Sequence, residues 1–393
     1  MDEPELTIKR ALESYDKYKG SQLQLIFEGT SVDYCLMNTL RQLVYSEIPI
    51  YAFSRSSITF DEENGNSSIS DSDQLRIRFQ MIPIPNVKNT IQFLESEYYP
   101  YVNTITGPLL PDREYKRDPK DDQDIYYYLN VENKNSEILN VTTNDVKITI
   151  NGKVVKNLYN KPRLLVKLKK GQIVNCSMKA VLGIAKLHDC WAAISQCSYG
   201  QIKNNNYVFV IKSLGQRSEW DCLITACHII TKKIVKLRDN IKKSYTKEKI
   251  GKVAFLVIKI EEEDHMLGNL LQTTLLKHPK VTFAGYKIDH PFEPEVTLCI
   301  GAPSPLDALY DAFEYIIKLF EYVKKKLEAA EKVKFELNKQ IIQIKEQNPP
   351  TKYEFSKDMK EKIKEGLIER SGKSSVQGRQ RGVKKSTRGK KKL

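Results

Sequence analysis

A twelve-residue helix-start pattern occurs twice in this chain. Residues 33–44 read DYCLMNTLRQLV and residues 264–275 read DHMLGNLLQTTL. Both follow Asp-x-x-Leu-x-Asn-x-Leu, through Asp33, Leu36, Asn38 and Leu40, then Asp264, Leu267, Asn269 and Leu271. Each follows a short apolar run, Leu23 to Phe27 or Val253 to Ile260, and each is succeeded further on by a long amphipathic helix. Asparagine is a poor helix-interior residue, because its side chain competes for backbone hydrogen bonds. Its recurrence at one place in two otherwise different helices argues for two diverged copies of one unit. Two copies on one chain can fold against each other with the quasi-symmetry of a two-fold interface.

Periodicity extends each copy to strand, short helix, strand, long helix. In the first, a strand at 23–28 precedes a helix capped by Asp33 and stopped before Pro49, and 50–60 reads as a strand. The long helices start at Ser218 and at Ser304-Pro305, with Asp221 and Asp307 three residues on, a variant of the capping box. Their apolar faces should pair the copies through Trp220, Leu223 and Cys227 on one and Leu309, Phe313, Ile317 and Phe320 on the other. The first copy is interrupted by a β-rich insert. A strand at 126–131, a hairpin over 146–155 turning at Asn151-Gly152, and two runs flanking Lys170-Gly171 mark it, before a further strand at 207–212.

The expected fold class is therefore α+β: two modules paired within one chain, plus a mostly β insert. The boundaries are a lead-in over 1–19, a discontinuous first module over 20–85 and 205–240, and the insert over 86–204. The second module covers 250–328, a charged helical extension 329–370, and a disordered basic tail 371–393. A length of 393 residues, with 40% apolar and 28% charged, suits several soluble globular domains. No run of about 18 apolar residues exists, so no membrane span is expected, and the polar, acidic start of the chain is unlike a secretory signal.

The net charge of +14 is uneven. Residues 371–393 hold nine Lys or Arg and no acid, leaving +5 for the rest. Within that tail, Lys384, Lys385, Arg388, Lys390, Lys391 and Lys392 are candidates for weak, salt-sensitive binding to DNA or RNA phosphates; no aromatic is interleaved for base stacking, and a targeting role is the other reading. The seven cysteines are scattered and odd in number, which suits buried free thiols better than a disulfide frame. Neither His188, Cys190 and Cys197 nor Cys222, Cys227 and His228 has the paired spacing of a structural zinc site, so no metal is expected. No phosphate-cradling glycine loop, nucleophile–base pair or triple-Asp magnesium loop stands in the sequence, so no catalytic residue, cofactor or small-molecule substrate is expected.

Several motifs resemble the assembly platform of multisubunit DNA-directed RNA polymerases. That platform is the bacterial alpha-subunit dimer, the archaeal D–L pair, or the eukaryotic third-largest subunit with its small partner. The first helix is similar to that family at Asn38, Thr39, Leu40 and Arg41, followed by Glu47-Ile48-Pro49. Gly183, Lys186, His188 and Trp191 match the Gly-x-x-Lys-x-His-x-x-Trp signature of the larger partner. Asp264, His265, Leu267, Gly268 and Asn269 match the smaller partner, continued by His278-Pro279, Gly285-Tyr286 and His290-Pro291. The resemblance covers roughly residues 20–328, and having both types on one chain resembles the fused subunit of large nucleocytoplasmic DNA viruses.

The resemblance implies a non-catalytic scaffold that docks the two large catalytic subunits, beside small polymerase subunits. It implies a viral protein of the host cytoplasm and virion, with the nucleus as another compartment. It marks Asn38, Leu40, Arg41, Lys186, His188, Trp191, Gly268 and Asn269 as subunit-interface candidates. The family's charged contacts are absent at Gln42 and Gln272, which leaves Arg41 as the foremost docking residue. The other reading is a free-standing basic nucleic-acid-binding protein acting through its tail.

Overall fold

The computed structural model describes residues 3–16, 20–61, 72–87, 89–99, 123–156, 158–159, 161–241, 245–250, 253–290 and 295–347. Residues 348–370 of the expected charged extension and the basic tail at 371–393 lie outside them. Residues 1–334 form one compact unit and residues 335–393 a second.

Two four-stranded antiparallel sheets carry the two repeats. The first joins β1 (Thr7–Asp16), β2 (Gly20–Glu28), β10 (Ile194–Lys203) and β11 (Asn206–Ser213) in the order β1-β2-β11-β10. The second joins β12 (Tyr245–Ile250), β13 (Val253–Glu261), β14 (Phe283–Lys287) and β15 (Glu295–Ala302) in the order β12-β13-β15-β14. The orders are the same, strand for strand. In each, a hairpin leads to a short helix, α1 (Tyr34–Ser46) or α4 (His265–Leu276), and a second hairpin leads to a long one, α3 (Glu219–Asn240) or α5 (Pro305–Gln347).

This topology revises the expected boundaries. The lead-in is not loose: Thr7 to Asp16 pairs along β2, with a register shift between Arg10 and Leu12. The strand following the first short helix, β3 (Ile50–Phe60), is not the repeat's second strand; β10 takes that place and belongs to the first sheet rather than the insert. Tyr245–Ile250, largely ahead of the expected start of the second module at 250, is a strand of its sheet. Helix α5 runs from the second module through the start of the expected helical extension to Gln347, since nothing from 329 to 347 is a helix breaker.

The insert is built on a five-stranded sheet, β3-β9-β4-β6-β7, which adds β4 (Ile125–Glu132), β6 (Lys147–Ile150), β7 (Lys153–Val155) and β9 (Ile173–Gly183). A helix α2 (Ser72–Gln80), which the sequence reading did not mark, packs on β3. Asn151 and Gly152 turn the β6–β7 hairpin with φ of 50° and 76°, the left-handed pair that the Asn-Gly dipeptide supplies. The runs flanking Lys170-Gly171 do not pair: β8 (Leu164–Leu168) bonds to β5 (Leu139–Thr142), and β9 to β3 and β4.

Two cores result. One gathers buried side chains of both four-stranded sheets and of α1, α3, α4 and α5. The other lies inside the insert. Strand β3 is their common wall, with Ile50 and Ala52 in the first and Tyr51 and Phe53 in the second. A strand buried on both faces reads as a continuous apolar run rather than an alternation, as Ile50 to Phe53 does.

Candidate subunit interface

Four sequence-distant segments meet at a charged cluster. Glu47 closes α1, Lys233 lies on α3, Glu263 and Asp264 precede α4, and Lys186 comes from the insert. Lys233 Nζ donates to Glu47 Oε1 at 2.9 Å and to Glu263 Oε2 at 3.3 Å. Lys186 Nζ lies 3.9 Å from Glu47 Oε1 and 3.6 Å from Asp264 Oδ2. Glu47 is 5% exposed and Lys233 11%, so this is a buried network. Burial opposes the charge on Lys233, but the carboxylates of Glu47 and Glu263 outweigh it and hold the ammonium above its ordinary pKa. Glu263 moves upward, because burial and the neighbouring Glu47 carboxylate together exceed the help of Lys233 and Lys186.

The Gly-x-x-Lys-x-His-x-x-Trp segment is a local knot that aims Lys186 at this cluster. Trp191 is fully buried and donates Nε1–H to the Val181 carbonyl at 2.9 Å. A Cβ on Gly183 would stand 2.5 Å from the indole, so a glycine is required there. His188 Nδ1 accepts from the Cys190 backbone N–H at 3.1 Å, capping the turn over 189–191. The backbone N–H of Lys186 donates to the Ser46 carbonyl at 2.8 Å, fixing the segment to the end of α1.

Of the expected interface residues, Leu40, Trp191 and Gly268 are buried, the first two at 0% exposure, and have no surface to offer a separate subunit. Their side-chain or backbone positions are consumed by the chain's own packing; a Cβ at Gly268 would meet the Tyr286 ring at 2.5 Å. Asn269 is half-buried between the short helices, where its amide donates to Cys35 Sγ at 3.8 Å and the Cys35 thiol donates to the Asn269 carbonyl at 3.9 Å. Lys277 Nζ reaches Asp33 Oδ2 at 2.6 Å across the same seam. Asn38 and Arg41 are half-buried together: Arg41 Nε and Nη2 donate to Asn38 Oδ1 at 3.3 and 2.9 Å.

Two exposed tyrosines that the sequence reading missed flank this pair. Tyr34 is 55% exposed and Tyr45 46%. Tyr34, Asn38, Arg41 and Tyr45 stand at helical spacing opposite the buried Leu36, Leu40 and Leu43, so the apolar periodicity of α1 itself marks them as outward.

Of the residues expected to pair the long helices, Trp220, Leu223, Cys227, Leu309, Phe313 and Phe320 are buried in the shared core, while Ile317 is only partly buried and its neighbour Ile316 is the residue at 0%. The short helices contribute more to the meeting of the repeats than expected: α1 packs against both α3 and α4. Lys324 and Glu328 of α5 stand near enough to Cys227 on α3 to act on its thiol.

Burial disfavours the thiolate at six of the seven cysteines. Burial pushes Cys35 up to about 11 and Cys176, Cys190, Cys197 and Cys227 up to about 12. Among the described residues, no group of three or more His, Cys, Asp or Glu is placed to hold a metal ion, and no helix is long and apolar enough to cross a membrane.

Missed altogether was Arg217, 5% exposed, just ahead of α3. Its guanidinium bonds Asp221 at 2.7 Å, the Pro49 carbonyl at 3.3 Å and the Ile91 carbonyl. The adjacent Gln216 binds Tyr51 as a strand partner would, accepting its N–H at 2.7 Å and donating to its carbonyl at 3.0 Å. Together they tie the insert to α3.

Residues 256–326, from β13 into α5, match the RNA polymerase Rpb3/Rpb11 dimerisation domain family. A protein of Acanthamoeba polyphaga mimivirus named as DNA-directed RNA polymerase subunit R470 is 26% identical over 318 residues, covering 76% of this chain and 88% of that protein. The RNA polymerase II subunit RPB11 of Caenorhabditis briggsae is 38% identical over 77 residues, 19% of this chain and 63% of its own length. Subunit RPAC2 of RNA polymerases I and III from Saccharomyces cerevisiae is 38% identical over 78 residues, 19% of this chain and 54% of its own length. The chain is thus similar over most of its length to a mimivirus RNA polymerase subunit, and its second repeat matches the Rpb3/Rpb11 dimerisation domain family.

Proposed function

We propose that this chain is the non-catalytic assembly subunit of a viral DNA-directed RNA polymerase, with a larger-partner module and a smaller-partner module fused and paired within one chain. The observation that carries this reading is the identical strand order of the two four-stranded sheets, whose helices bury their apolar faces in one core. Fusion makes the pairing unimolecular, which raises the effective concentration of each half for the other. The insert interrupts only the first module and is braced to it by Lys186, Gln216 and Arg217.

In this reading the catalytic subunits dock on the outward stripe of α1, Tyr34, Asn38, Arg41 and Tyr45. The Asn38 side chain holds Arg41 in place, presenting its guanidinium between two tyrosines, a combination enriched at the centres of binding interfaces. In this reading the chain contributes no reacting group: burial holds six of its thiols protonated, Glu47 and Glu263 are committed to Lys233, and Glu219 is committed to Ser21 and Ser213. Small polymerase subunits complete the assembly, the host cytoplasm and the virion are its places of work, and the tail adds weak affinity for DNA or RNA.

Reversing the charge of Arg41 tests this. Arg41→Glu should stay folded by circular dichroism, since the side chain is only half-buried, yet lose capture of the second-largest polymerase subunit in a pull-down from the same preparation. Loss should exceed tenfold, because an interfacial charge left opposite a like charge costs several times RT. Normal capture by a well-folded Arg41→Glu protein would remove this stripe from the docking surface.

A further inference from the structure

We propose that the open face of the five-stranded insert sheet binds single-stranded nucleic acid. Strand β4 alternates strictly: Ile125, Tyr127 and Leu129 point into the insert core, while Tyr126, Tyr128 and Asn130 stand on the other face. The two outward rings are parallel, 11° apart in plane with centroids at 6.1 Å, and Tyr128 is 42% exposed. Lysines flank them on both neighbouring strands. Lys179 is in register with Tyr126 on β9 and sits 5.6 Å over its ring; Lys147 is in register with Tyr128 on β6 and is exposed.

The charge left over on this face is positive. Neither Lys147 nor Lys179 has a carboxylate partner among the described residues, and Glu132 pairs with Lys134 at 3.2 Å, so two ammonium groups stand against the one carboxylate of Asp61, which keeps its charge while accepting from Asn175 Nδ2 at 3.2 Å. A shallow cavity runs from Thr59 to Lys147 past Tyr128 and Asn130. An exposed tyrosine ring with a half-buried one beside it, flanking cations and an exposed amide on one sheet face recognise unstacked bases joined by phosphates. Each base offers a face to a tyrosine, the lysines take the phosphates, and the amide meets a base edge. A duplex keeps its bases stacked inside and satisfies only the lysines. A bound peptide strand would use a sheet edge rather than this face.

The inference is independent of the assembly role and needs no other subunit for its test. The full-length chain is titrated with fluorescent oligouridine and oligothymidine of about 12 nucleotides, and with a duplex of equal length, at near-physiological salt. Bromouracil-substituted strands are then photo-crosslinked and the attachment mapped by mass spectrometry, which separates this face from the basic tail. Tyr126→Leu/Tyr128→Leu, checked by thermal melting, should weaken single-strand binding at least about tenfold, and the surface change Lys147→Glu should weaken it similarly. Crosslinks should fall within residues 125–132. The RNA and DNA arms decide which strand is preferred. Crosslinks confined to residues 371–393, with affinity unchanged in both variants, overturn the proposal, as does equal binding of the duplex through this face.

Discussion

At the scale of single residues, two glycines and a lysine carry the most tertiary information. Alanine normally stabilises a helix by about 1 kcal/mol over glycine. At Gly268 the added Cβ would stand 2.5 Å from the Tyr286 ring, and the ring atoms concerned are not the free end of a flexible chain. Overpacking should prevail, so Gly268→Ala should destabilise by about 1–3 kcal/mol in urea unfolding, and most of the loss should vanish in a Tyr286→Ala background. The lysine is Lys233. Lys233→Met leaves Glu47 and Glu263 buried without their shared cation, at a cost of about 3 kcal/mol.

The same lysine sets a pH dependence. Its folded pKa lies above the ordinary 10.5, so its contribution is complete below that value and is lost as pH rises through the folded value. Wild-type stability should therefore fall above about pH 10.5 with a component that Lys233→Met lacks. Coincident alkaline unfolding profiles would exclude Lys233 as the cause.

At the scale of elements, the decisive relation is between the short helices and the sheets behind them. Helix α1 buries Leu36, Leu40, Leu43 and Val44 and leaves Tyr34, Asn38, Arg41 and Tyr45 outward. Helix α4 buries Leu267, Leu270, Leu271 and Leu275, and Asn269 is spent on the seam with Cys35. The two asparagines of the repeated pattern thus differ in role: Asn38 steadies an outward arginine, and Asn269 bridges the two short helices. The long helices meet the repeats' common core at Trp220, Leu223 and Cys227 and at Leu309, Phe313 and Phe320. Burying such faces is worth about 25 cal/mol per Å² of apolar surface. A charge at one of them has no compensating partner, so Phe313→Asp should abolish soluble folded protein or lower the melting temperature by more than about 10 °C. A cooperative, near-normal melt would mean that α5 is not part of the common core.

At the scale of the whole molecule, residues 1–334 share their principal core between both repeats. A fragment ending at residue 240 would expose the sides of α1 and α3 that face α4 and α5. It should aggregate or unfold, which size-exclusion chromatography and circular dichroism would report; a stable monomer would refute the intramolecular pairing. The basic tail is separate from that core in sequence and holds nine positive charges without an acid. Its deletion, residues 371–393, should leave co-purification with the large polymerase subunits intact. It should also flatten the salt dependence of nucleic-acid binding, with a slope reduced in proportion to the phosphates neutralised. Loss of assembly on deletion would give the tail a structural role.

The sequence by itself determined the local elements whose signals are local. Asp33, Ser218 and Asp264 cap their helices with side-chain bonds as read, because a cap needs only its own first turn. The Asn151-Gly152 hairpin follows from two left-handed residues, and the repeated Asn pattern marked α1 and α4. Tertiary structure alone decided which strands share a sheet. Backbone hydrogen bonds between distant strands leave no trace in either strand's periodicity, so β1, β10 and β12 and the true partner of β8 were illegible. It alone also decided that Gly183 and Gly268 serve packing against Trp191 and Tyr286, since a missing Cβ matters only where another element approaches. Lys186, Lys233, Glu47 and Glu263 come from four separate stretches, and neither the motifs that hold Lys186 and Glu47 nor the surroundings of Lys233 and Glu263 show in sequence that the four meet. Folding brings them out of water together, and their burial turns those ordinary charges into the joint between the insert and both repeats.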